Sequence, residues 1–82
     1  MRVSADKSDP GFATWMAMPN RTAVRIFLDD VEQRHVYTAD DVEGTVCRSV
    51  LDAEGHAQID PDNPDQIWRE VVHGVVRIEV PS

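Results

Sequence analysis

At 82 residues the chain has room for one small domain. Folding at that size buries only about 60–65% of the unfolded chain's surface, which excludes a deep internal site. A single cysteine, Cys47, excludes an internal disulfide and a multi-cysteine metal centre. The net charge of −7 opposes the phosphate backbone of nucleic acid, so direct DNA or RNA binding is not expected.

That charge is unevenly placed: residues 1–21 carry a net of +1 and residues 22–82 a net of −8. The plain consequence is a solvated acidic surface. The sharper one is a surface that imitates nucleic acid and occupies a basic host protein. It requires Asp29, Asp30, Glu32, Asp40, Asp41, Asp52 and Glu54 to gather on one side. No N-terminal apolar stretch of the signal-peptide kind is present, and no run approaches the roughly 20 apolar residues of a membrane span. A cytoplasmic location without a membrane role is therefore expected.

Residues 1–20 read as a flexible N-terminal arm, rich in Ser, Asp, Pro and Gly over its first half. Within it Phe12, Trp15 and Met16 stand at i, i+3 and i+4, enough for one helical turn with an apolar face. That turn either folds back over an open edge of the chain's own core or docks on a partner. These three residues are the candidate interaction site, because Trp anchors interfaces well.

Residues 21–82 read as one β-rich domain. Val24, Ile26 and Leu28 alternate with Arg25 and Phe27, and Asp29-Asp30 follows as a two-residue hairpin loop. Such a loop sets Leu28 opposite Val31 and Ile26 opposite Gln33. The returning strand runs to about residue 40, and a turn at residues 40–44 leads to a third strand. In that strand Val46, Arg48 and Val50 share one face, with Thr45, Cys47, Ser49 and Leu51 on the other. Asp52-Ala53-Glu54-Gly55 carries the chemistry of a type I turn followed by a left-handed residue, and leads to a short strand over 56–59.

The tract from Gln66 to Val80 fits two periods. Asn63, Pro64 and Gln66 have capping spacing for a helix that Gly74 would end. The density of Val and Ile favours instead a short turn at 64–66 and a bent strand over 68–80. Under either reading Trp68 points inward. The predicted fold is thus mainly β, a small antiparallel sheet, sandwich or barrel-like, of about five strands (22–28, 33–40, 44–51, 56–59, 68–80). At most one short helix is expected, near 64–73.

Chemistry is sparse. Asp60, Asp62 and Asn63 offer oxygens of the kind calcium takes, but Asp65 stands where a calcium loop needs Gly and Val71 where it needs Glu. His35, His56, His73 and Cys47 lack paired zinc spacing. No basic residue but Arg48 adjoins Cys47, so an activated thiolate is not expected. Catalytic, cofactor and metal sites are all predicted absent, a small-molecule ligand is disfavoured, and a protein partner or self-association is the expected mode.

The succession Val24-Arg-Ile-Phe-Leu-Asp-Asp-Val-Glu32, Glu43-Gly-Thr-Val46, Leu51-Asp-Ala-Glu-Gly55 and Val72-His-Gly-Val-Val-Arg-Ile-Glu79 resembles small β-rich proteins encoded in bacteriophages and prophages, often near genes for particle structure. The likeness spans roughly residues 22–80 and leaves the arm outside. Asp30 stands where such hairpins more often have Gly. The resemblance implies a non-enzymatic particle or accessory role, virion-associated if so, and carries over no functional residue.

Overall fold

The computed structural model describes residues 1–81. They form nine strands and one short helix: β1 (Arg2–Ser4), α1 (Gly11–Met16), a single 3-10 turn (Arg21–Ala23), β2 (Arg25–Leu28), β3 (Val31–Gln33), β4 (Val36–Asp40), β5 (Thr45–Ser49), β6 (Ile59–Asp60), β7 (Asn63–Ile67), β8 (Arg69–His73) and β9 (Val76–Glu79). All strand pairs are antiparallel. A larger sheet has the order β1-β4-β5-β8, a smaller one β3-β2-β9, and β6-β7 stands as a two-stranded hairpin.

The two larger sheets enclose one core. In the larger sheet Val3, Ala39, Val46 and Val72 lie in one cross-strand row, so all four side chains share a face. Ile26 and Val76 of the smaller sheet meet that row, and Trp15, Met18, Val24, Leu28, Val36, Val72 and Ile78 close around it. Period-two alternation thus works as expected: Val46 is fully buried while Thr45 and Cys47 face the other way.

The first hairpin has the expected register, with Ile26 opposite Gln33 and Leu28 opposite Val31. Asp29 and Asp30 both adopt left-handed backbone, φ 49° and 66°, as a two-residue loop between twisted strands requires. Carboxylates substitute for the usual glycine here because Asp29 Oδ1 accepts the Val75 N–H at 2.9 Å and gives the strained turn a tertiary tie.

The expected strand over 33–40 is two strands. The chain leaves the smaller sheet after Gln33, turns at Arg34-His35 with His35 at φ 56°, and enters the larger sheet as β4. The expected bent strand over 68–80 divides in the same way. β8 belongs to the larger sheet and β9 to the smaller, and Gly74-Val75 crosses between them. Residues 64–73 are extended, and the one α-helix lies at Gly11–Met16 instead. β-branched Val71 and Val72, hydrogen-bonded along β5, outweigh the capping signal at Asn63.

Residues 1–20 do not stand apart from the sheet. Arg2, Val3 and Ser4 pair with Asp40, Ala39 and Thr38, making β1 the edge strand. The register buries Val3 and sets the Ser4 and Thr38 hydroxyls 2.8 Å apart. Six residues of helix have little intrinsic stability, and α1 is held by packing on β1. A Cβ on Gly11 would lie 2.9–3.0 Å from Arg2, so the approach of helix to strand depends on glycine there. Trp68 is also placed differently from expectation. It is 38% exposed, because β8 begins only at Arg69 and the indole lies at the root of the hairpin rather than in the core.

Candidate protein-interaction surface

Two ends of the molecule differ. At one, called upper here, the turns at 29–30, 40–44 and 74–75 meet. At the lower end lie the Arg34-His35 crossing, the end of β5 and the β6-β7 hairpin. A cleft of about 240 Å³ opens there between the sheets, lined by Trp15, Arg21, Ile26, His35, Val36 and Tyr37 among others. Gln33 forms its far wall and is shared with a second hollow bordered by Arg34, Arg48, Glu70 and Leu51. The first volume is below and the second, about 340 Å³, at the low end of the roughly 300–1,000 Å³ typical of ligand pockets, and both hollows are open, so they form a surface rather than a chamber.

Local chemistry explains why the sheets part here. The cross-strand row next to the core row is Val36-Arg48-Glu70, whose two charged members cannot join an apolar core. Arg48 Nε donates to Glu70 Oε1 at 2.9 Å, and the same guanidinium donates through its terminal nitrogen to Gln33 Oε1, a bridge from one sheet to the other. Beside it Ser49 donates to the Tyr37 hydroxyl at 3.0 Å, and the Arg69 guanidinium lies 3.8 Å from the Tyr37 ring centroid. His35 is held in left-handed backbone by its carbonyl, which accepts the Ser49 N–H at 3.0 Å.

The charges around this opening are not balanced within the chain. Arg2, Arg25, Arg48, Arg69 and Arg77 all pair with carboxylates. Among the described residues Arg21 and Arg34, like Lys7, form no ion pair. Arg21 lies over the Trp15 ring, 5.6 Å from its centroid, and its carbonyl accepts the indole N–H at 3.2 Å. Arg21 borders the cleft, and Arg34 borders the second hollow together with Glu32, Arg48 and Glu70.

The hairpin stands beside it. Trp68 N–H donates to the Gln58 carbonyl, Gln58 N–H to Val50 and Val50 N–H to Trp68, which roots the hairpin at the end of β5. The turn at 52–55 forms as expected: Gly55 has φ 86°, and the Asp52 carboxylate accepts the N–H groups of Glu54 and His56. Leu51 bridges Ala57 and Ile59 faces Ile67, so these four side chains make an apolar stripe. It is partly open to solvent: Leu51 is 36% exposed, Ile59 57% and Ile67 38%. Leu51 also borders the second hollow, so the stripe leads into that hollow, which shares Gln33 with the cleft.

Of the sequence-derived candidates, Phe12 and Trp15 are half-buried with ring centroids 6.4 Å apart, and Trp15 packs against the core while lining the cleft. Met16 is exposed. The seven carboxylates of the nucleic-acid-mimic reading are divided: Asp29, Asp30, Asp40 and Asp41 at the upper end, Asp52 and Glu54 at the lower, and Glu32 tied to Arg25 at 2.6 Å. Asp40 is buried, accepting the N–H groups of Val42 and Glu43. Cys47 lies on the outer face of the larger sheet, where burial pushes its thiol pKa up. Among the described residues no three His, Cys, Asp or Glu side chains are grouped to hold a metal, and no helix is long and apolar enough to cross a membrane.

Sequence reasoning missed the hairpin stripe, although its signal was present. Two isoleucines flank the polar run 60–65, eight residues apart across an Asp-Pro-Asp-Asn turn. Arg21 and Arg34 carried no comparable signal, since pairing of charges depends on which strands become neighbours. Comparison with known proteins finds no matching family model, no matching curated protein and no matching solved structure.

Proposed function

We propose that the protein is a non-enzymatic interaction module that binds a protein partner through the lower end of its fold. The observation that carries this reading is the apolar stripe of Leu51, Ala57, Ile59 and Ile67 on a hairpin that packs chiefly on itself. Isolated two-stranded hairpins are marginal in water, and contiguous exposed apolar surface marks interaction sites. The resemblance to phage and prophage proteins implies a particle or accessory setting for this binding.

Photo-crosslinking in the cell that encodes the chain tests it. A photoreactive residue at position 59 or 67 is expected to give discrete protein adducts, whereas the same group at Val42, 83% exposed at the upper end, is not. Absence of adducts from 59 and 67, or identical adducts from 42, overturns the reading.

A further inference from the structure

The lower end carries two surfaces that complement each other in charge but do not meet within one chain. Between Asp52 and Gln66 the chain has five carboxylates (Asp52, Glu54, Asp60, Asp62, Asp65) and no Lys or Arg. His56 approaches the Asp52 and Glu54 carboxylates at 3.6 Å, while Asp60, Asp62 and Asp65 at the hairpin tip form no ion pair among the described residues. Across the opening, Arg21 and Arg34 also lack one. The apolar stripe runs from this acidic hairpin to the second hollow through Leu51, where Arg34 stands without an ion pair beside Arg48, Glu32 and Glu70.

We propose that the partner of this surface is a second copy of the chain. Two copies associate about a two-fold axis, with the β6-β7 hairpin of each lying along the cleft of the other. The stripe lies against the cleft mouth at Trp15 and Val24, and Asp60, Asp62 and Asp65 face the other copy's Arg21 and Arg34. Hairpin and cleft adjoin at one end of the molecule, so a single two-fold axis satisfies both contacts and closes the assembly at two. A standard interface takes about 800 Å² from each partner, roughly one seventh of the 5529 Å² this chain exposes. Of the other exposed valines, Val31, Val42 and Val75 lie around the upper turns among Asp29, Asp30, Asp41 and Glu43, where no unpaired arginine among the described residues answers the carboxylates, while Val71 is on the outer face of β8 and Val80 follows β9.

This inference rests on the interaction reading above and commits it to one partner. Sedimentation of the full chain up to about 100 μM is expected to show a species of about twice 9.2 kDa that dissociates as salt rises. Two variants separate this interface from any other. Reversing the cleft (Arg21→Glu with Arg34→Glu) or the tip (Asp60→Lys, Asp62→Lys and Asp65→Lys) places like charges at both contacts, and each variant alone is expected to associate roughly tenfold or more weakly. Mixed one to one, the variants carry opposite charges at both contacts and are expected to recover a heterodimer. Thermal melting of each verifies that it folds.

A wild-type chain that stays single overturns the dimer, as does a dimer indifferent to both reversals or a mixture that fails to recover. If the chain stays single while crosslinks from position 67 identify a different protein, the dimer is lost and the interaction reading stands. If both assays are silent, both fall.

Discussion

The upper and lower ends of this domain use the same residue types to opposite effect. At the upper end carboxylates serve the backbone. Asp29 accepts from Val75, Asp40 accepts from Val42 and Glu43, and Arg2 holds Asp9 with hydrogen bonds of 2.9 and 2.7 Å. Turn meets turn directly: Asp29 N–H donates to Val75 and Gly74 N–H to Gly44. At the lower end Asp52 and Asp60 also accept backbone N–H groups, but among the described residues the hairpin-tip carboxylates and two arginines form no ion pair, beside exposed isoleucines. One end is closed by its polar groups and the other leaves charged and apolar groups at the surface. In an acidic protein the partner of each carboxylate therefore says more than the net charge does.

The comparison is most easily broken with glycine. Gly44 and Gly55 both have positive φ, 69° and 86°, one at each end. Alanine at either position incurs left-handed strain of about 1–2 kcal/mol. At Gly44 the new Cβ would also lie 2.5 Å from the Gly74 carbonyl oxygen, a backbone atom, whereas at Gly55 nothing lies within 4 Å. Gly44→Ala is expected to cost about 3 kcal/mol in all, lowering Tm by roughly 12–24 °C, and Gly55→Ala only the strain of about 1–2 kcal/mol. Equal losses in thermal melts would mean that contact between the upper turns adds nothing to stability.

A smaller effect is expected from acid. Hydrogen bonds from Arg2 hold the Asp9 carboxyl below the usual range. Asp40 is lowered first by the N–H of Glu43, then by that of Val42 and by Arg2. Both groups bind protons more weakly folded than unfolded. Their stabilisation is present above the ordinary carboxylate pKa of about 3.9 and is lost as pH falls through the lower folded values. Arg2→Ala is expected to cost about 1–2 kcal/mol at pH 7, mostly through Asp9, with the deficit shrinking by pH 3. Arg21→Ala, at the lower end, should leave the pH profile of Tm unchanged. A pH-independent Arg2→Ala deficit would show that Arg2 contributes packing alone.

The β class, the first hairpin's register and the turn at 52–55 were legible in the sequence because each depends on neighbours only a few residues away. The crossings at Arg34-His35 and Gly74-Val75 were harder to see. Alternation continues through both, yet the chain changes sheet, and which sheet a strand joins depends on partners far along the chain, as Thr38 is from Ser4, Arg69 from Ser49 and Val76 from Leu28. Trp68 was misplaced for the same reason: alternation put it in line with Val72 and Val76, but the strand that carries Val72 starts one residue later. In residues 1–20, composition suggested an arm, while the pairing of Val3 with Ala39 made an edge strand from three residues of weak local preference. The candidate surface was the least legible part, because an unpaired arginine or an exposed isoleucine is defined by what fails to approach it.

The smallest expected effect bears on whether the lower end is truly spare. Ile59→Ser and Ile67→Ser remove apolar groups that the fold leaves open to solvent. Measured at a few micromolar or below, where association is weak, each should change stability by no more than about 0.5 kcal/mol, as exposed substitutions do. Val46→Ala, at a fully buried position, creates a void and should cost about 1–3 kcal/mol under the same conditions. Losses at 59 and 67 that approach the Val46 value would place the stripe among the groups that hold the domain together. Near-silence there, with the core variant clearly weakened, means that the stripe contributes little to folding, and its apolar character is then to be explained by what binds it.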